Sequence, residues 1–139
     1  MATLESFFVT KVYRAELPAA TARRLVADLE PACRSIAEDD GAGQAWCEKN
    51  RYPGYTSYAS LTDLAQRFPE FADLVPHLDE HVRAFADLLE LDLGHRPLTL
   101  DSMWINVLPE GGFHTAHIHP HSVISGTFYV AIPKGASAL

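Results

Sequence analysis

Residues 111–130 read GGFHTAHIHPHSVISGTFYV and hold four of the chain's seven histidines, directly behind a Gly-Gly turn. The decisive spacing is His117-x-His119. In a strand, side chains two apart leave the same face. If Phe113–His119 is a strand, both imidazoles face one way and a single cation lies within reach of both. His114 then points the other way, and His121 follows Pro120, which ends the ladder. Imidazole suits Fe, Zn, Ni or Cu. Two histidines do not close a site, since a catalytic metal usually takes three protein ligands and keeps an open position. A His-rich surface hairpin is the bland alternative. Against it, the pair sits in the most apolar, strand-like part of the chain, where a buried imidazole needs a partner.

Outward from this stretch the period stays at two. Pro97–Pro109 alternates, with Met103, Ile105 and Val107 on one face and Trp104 and Asn106 on the other. Glu110–Gly112 is a turn, and SVISGTFYVAIP (122–133) reads as a further strand. Upstream the period lengthens. Ala22, Leu25, Val26 and Leu29 predict a helix from Ala19 to about Glu38, with Pro18 at its first turn and Pro31 as a kink. Leu78, Val82, Phe85 and Leu89 make one apolar stripe on a second helix after Pro76. His77 and His81 lie four apart on that helix and read as solvated residues. Phe7–Leu17 reads as a strand.

The segment 39–60 is dense in Gly, Pro, Asn and Ser and reads as loop. Its aromatics Trp46, Tyr52, Tyr55 and Tyr58 suggest either a loop packed on the core or a substrate lid. The order strand, helices, strands gives an α+β class. The expected division is a single domain over 1–139, with an N-terminal strand and helices in 1–96 and the histidine-bearing strands in 97–139.

The 139 residues suit one domain, and 47% hydrophobic content is enough for a core. A formal charge of −7 without a basic run argues against nucleic acid and anionic membrane surfaces. No apolar run is long enough to span a bilayer, and the first residues lack a signal-peptide layout. Cys33 and Cys47 are too few for a disulfide scaffold and read as free thiols, so a cytoplasmic setting is expected.

The pattern W-x-N-x(4)-GG-x(5)-H-x-H-P-x-S-x-x-SG-x-x-Y-V-x-x-P runs through Trp104, Asn106, Gly111, His117, His119, Pro120, Ser122, Ser125, Gly126, Tyr129 and Pro133. It resembles the signature of 2-oxoglutarate/Fe(II)-dependent oxygenases of the H-x-H-P type, and the helical region and Trp46 segment resemble that family more loosely. The resemblance implies a double-stranded β-helix, or jelly-roll, core braced by the N-terminal helices, with Fe(II) and 2-oxoglutarate as cofactors. It implies an oxidoreductase, a dioxygenase hydroxylating an unknown substrate that is either a small molecule or a peptide. His117 and His119 become metal ligands, His119 standing where the family usually has Asp. Asn106, Tyr129 and Ser125 become candidates for holding the cosubstrate, and Trp104 a pocket wall.

The third ligand and the basic residue that meets 2-oxoglutarate are expected beyond Leu139, which makes the jelly roll truncated at its C-terminus. A few strands with an open edge would favour a homodimer. The rival expectations are a cupin-like metal-binding β-barrel and a non-catalytic metal-binding domain.

Overall fold

The structure, a computed structural model, describes residues 2–136. Along the chain come α1 (Ala19–Asp39), α2 (Gly41–Asn50), β1 (Tyr55–Thr56), α3 (Leu64–Arg67), α4 (Pro69–Ala72), α5 (Val75–Leu88) and β2 (Asn106–Val107).

The core is organised by α1. Leu25, Leu29 and Ile36 are buried and lie on one helical face. They meet Cys47 of α2, Tyr55 of β1, Leu64 of α3, Phe71 of α4, Leu74 and Ile105. Leu29 and Leu64 are wholly inaccessible, and each such leucine contributes roughly 1.5–3 kcal/mol by leaving water. Pro31 lies inside α1, and the helix continues through it to Asp39 instead of stopping. The lost N–H costs the helix one bond there, and the buried residues on either side of it, Leu29 and Ile36, hold both halves on the same core.

The segment 41–50 is a helix, where glycine density predicts a loop. Glycine is a poor helix former, so α2 is imposed from outside. The Asp40 carboxylate caps it, accepting from the Gly43 N–H at 3.0 Å. The same carboxylate accepts from the Tyr55 hydroxyl at 2.7 Å and from the Ser60 hydroxyl. Gly43 permits this convergence: a Cβ there would sit 2.2 Å from Asp40 Oδ2 and 2.9 Å from Ser60 Oγ. Arg51, in the left-handed conformation at φ 52°, ends the helix.

β1 and β2 pair antiparallel, Tyr55 against Val107 and Thr56 against Asn106. The seam runs on as the Ser57 N–H donates to the Ile105 carbonyl at 3.1 Å and the Met103 N–H to the Thr62 carbonyl at 2.8 Å. Ser57 is fully buried yet satisfied: its Oγ donates to the Leu61 carbonyl and accepts from the Ile105 N–H. The alternation predicted for 103–107 holds. Ile105 is buried, Met103 and Val107 pack on the core, and Trp104 and Asn106 face outward.

Three other predicted strands do not form. Phe7–Leu17 has no regular structure; Phe7, Phe8, Val9 and Val12 are exposed, while Leu17 packs on the core and Tyr13 holds the segment to α5. Its ring stacks on Phe85 at 5.4 Å and its hydroxyl meets His81 Nδ1 at 3.1 Å. Phe113–His119 and 122–133 likewise make no ladder among the described residues. Period-two patterning becomes a strand only against a hydrogen-bonding neighbour, and these segments have none here. No helix among the described residues is long and apolar enough to cross a membrane.

Candidate functional site

The seam fixes where the histidines can go. After β2 the chain reverses at Pro109–Gly112, where the Gly112 N–H donates to the Pro109 carbonyl at 2.9 Å and Gly111 takes φ +76°. Gly112 passes so close to the 53–54 loop that a Cβ would lie 2.6 Å from the Pro53 carbonyl oxygen. The Gly-Gly pair is therefore both a turn and a point of contact, and it lays residues 113–119 beside Tyr52.

His114 comes first. Its Nδ1 lies 2.7 Å from the Tyr52 hydroxyl, which is also 3.4 Å from Asn106 Oδ1. The phenol donates to Asn106 Oδ1, which can only accept, and the direction of its contact with His114 Nδ1 follows the imidazole tautomer. Burial, and then the neighbouring His117 and His119, pull the His114 pKa below the ordinary histidine value. Burial pushes the Tyr52 hydroxyl up, so it stays a donor.

His117 Nδ1 lies 2.9 Å from the Thr115 carbonyl oxygen. Only an Nδ1–H can make that bond, so His117 Nε2 carries a lone pair. That Nε2 lies 3.0 Å from His119 Nε2, with the rings at 80°. Two adjacent ligands each about 2.1 Å from an octahedral ion stand about 3.0 Å apart. The pair thus fits two neighbouring positions on one metal ion. The backbone carbonyl behind His117 is the kind of outer partner that fixes a ligating tautomer.

The prediction that His114 faces away from this pair is corrected. Its ring lies 4.6 Å from that of His117, edge to face. Strand alternation does not apply because the segment is not a strand. Yet His114 does not complete a triad. Among the described residues no group of three or more His, Cys, Asp or Glu stands ready to hold a metal ion.

Of the other predicted residues, Asn106 joins the cluster through Tyr52. Tyr129 (44% exposed) and Ser125 are on the surface, and neither makes a side-chain hydrogen bond to the histidines. Both cysteines are free. Burial pushes the Cys33 thiol up to about 11, and Cys47 Sγ accepts from the Thr56 N–H at 3.3 Å.

The aromatics of 46–58 are the residues whose role the sequence left open. Trp46 meets Tyr52 at 6.5 Å and Tyr58 at 6.4 Å; Tyr58 meets Trp104 at 5.3 Å; Trp104 meets His119 at 5.5 Å. A continuous aromatic row therefore ends on the histidine pair. The density of large aromatics in a Gly/Pro-rich segment was the signal available for it.

Compared with known families, residues 102–139 match the model described as "Putative 2OG-Fe(II) oxygenase". The matched segment holds Trp104, Asn106, His114, His117, His119, Ser125 and Tyr129, and it agrees with the family resemblance carried by the H-x-H-P pattern. No curated protein matches the chain.

Proposed function

We propose that this chain carries the metal-binding segment of an Fe(II)/2-oxoglutarate-dependent dioxygenase, with His117 and His119 as two of the iron ligands. The family description of residues 102–139 implies both cofactors. The observation that carries the reading is the 3.0 Å approach of the two Nε2 atoms, with His117 held in the ligating tautomer by Thr115. In this reading the segment from residue 97 onward supplies strands of a jelly roll, and the buried alternation of 103–107 supports it.

Iron with 2-oxoglutarate supplies the oxidising chemistry that activates a C–H bond. The chain's own residues position and exclude. Thr115 keeps the His117 lone pair outward. Tyr52 holds His114 against His117 and faces Asn106, which presents a polar side chain toward the cosubstrate. Tyr129 and Ser125 remain proposed cosubstrate contacts. Trp104, packed on His119, shields one flank from water.

The test is anaerobic. Fe(II) is added to the protein, then 2-oxoglutarate, and the visible spectrum is followed. A new charge-transfer band that needs both additions is the expected result, because only a keto acid chelated to the iron produces it. Iron binding with no spectral response to 2-oxoglutarate would favour the cupin-like or non-catalytic alternatives.

A further inference from the structure

The row Trp46–Tyr58–Trp104 is a contiguous aromatic surface, and it leads to His119. Its rings do not lie flat against one another. Trp46 and Tyr58 meet at 68°, Tyr58 and Trp104 at 72°. Successive ring faces therefore meet as corners. A planar ligand needs parallel walls on which to stack. A compact, rounded cation is suited to a corner, because it can touch two ring faces at once, and each face is the negative part of the ring quadrupole. Tryptophan is the strongest such partner, and the row has two. Tyr58, at its centre, is 55% exposed, while Trp46 and Trp104 are half-buried. A grouped aromatic exposure of this kind marks a binding surface more often than a stray apolar residue does.

Charge selects among occupants. The chain has 18 acidic against 11 basic residues and a formal charge of −7. A net negative charge of this size favours the approach of cationic ligands. We infer that the Trp46–Tyr58–Trp104 corners bind an alkylated ammonium group, and, resting on the dioxygenase reading, that the substrate is a quaternary or methylated amine held with its neighbouring carbons toward His117 and His119.

Trp46 and Trp104 are the chain's only tryptophans, so fluorescence excited selectively at tryptophan reports on this row. The probes are choline and its uncharged isostere 3,3-dimethylbutan-1-ol, titrated into metal-free protein at constant ionic strength. Choline is expected to change the fluorescence saturably and to bind about three- to thirtyfold more tightly than the neutral alcohol. Tyr58→Ala should weaken choline to the level of the alcohol, and Tyr58→Phe, which keeps the ring face, should retain the preference. Equal binding of the two probes, no saturation, or an undiminished preference in Tyr58→Ala would overturn the inference. An Fe(II) titration of the same samples separates it from the broader reading. Metal binding without choline selectivity overturns this inference alone. Choline selectivity without metal binding upholds the ammonium surface and overturns its assignment to an oxygenase substrate.

Discussion

His117→Ala and His119→Ala are each expected to lower Fe(II) affinity by at least about tenfold, since losing a direct ligand should cost no less than the 10–100-fold typical of lost outer partners. Each variant leaves one imidazole where two Nε2 atoms now stand 3.0 Å apart. His114→Ala should cost less. Its Nδ1 is engaged by Tyr52, and its ring packs edge to face on His117 without approaching His119 as closely as His117 does. The ranking is the one strand alternation would give, but the cause is different: His114 is beside the pair and occupied, not turned away. His119→Asp should preserve a site, because a carboxylate is familiar at that position of a facial triad. His117→Asp should not, because it forfeits the tautomer that Thr115 fixes. Competition with a metal indicator under anaerobic conditions measures all five. Equal losses for the three alanine variants would refute the pairing.

Asp40→Ala is expected to destabilise the fold by roughly 2–4 kcal/mol. A lost N-cap of about 0.5–2 kcal/mol and two lost hydroxyl–carboxylate bonds of about 1.5–3 kcal/mol each set an upper bound of about 3.5–8 kcal/mol, and rehydration of the released groups at this partly exposed site roughly halves it. The carboxylate holds α2 through Gly43 and ties it to Tyr55 and Ser60, so the loss spreads to Trp46 and the aromatic row. The acid dependence follows from the same contacts. Burial alone would raise the Asp40 pKa, but the bonds from Ser60, Tyr55, Gly43 and Ala42 outweigh it and hold the carboxyl below its ordinary value of 3.8. A depressed folded-state pKa gives stability that is complete above the unfolded value and is lost as pH falls through the folded one. The stability gap between the native chain and Asp40→Asn should therefore be widest near neutral pH and narrow below about pH 4. Urea denaturation at pH 7 and at successively lower pH measures it. A gap independent of pH would mean that the ionised carboxylate is not what holds α2.

What the sequence made legible was whatever a single element decides for itself. The α1 face of Leu25 and Leu29 follows from helical spacing, and the inward set Met103, Ile105, Val107 from alternation. The H-x-H pair was visible because two residues two apart meet in many backbone conformations, not only in a strand. What stayed hidden depends on distant partners. α2 exists because Asp40, Tyr55 and Ser60 converge over a glycine, which no local propensity encodes. The contact of Tyr52 with His114 spans 62 positions, and only the close passage of Gly112 over Pro53 brings it about. The strand readings at Phe7–Leu17 and Phe113–His119 misjudged residues whose β-propensity is real but whose backbones find no ladder among the described residues. In a helix the hydrogen-bonding partner is four residues away in the same segment; in a strand it must come from elsewhere.

The central claim is that one metal ion sits between His117 and His119, and it is tested most directly by proton NMR of the imidazole signals during anaerobic Fe(II) titration. Paramagnetic broadening is expected to begin at His117 and His119, to reach His114 next, and to leave His77, His81 and His95 sharp at one equivalent of metal. Broadening shared evenly among the histidines, or centred on His77 and His81, would contradict it.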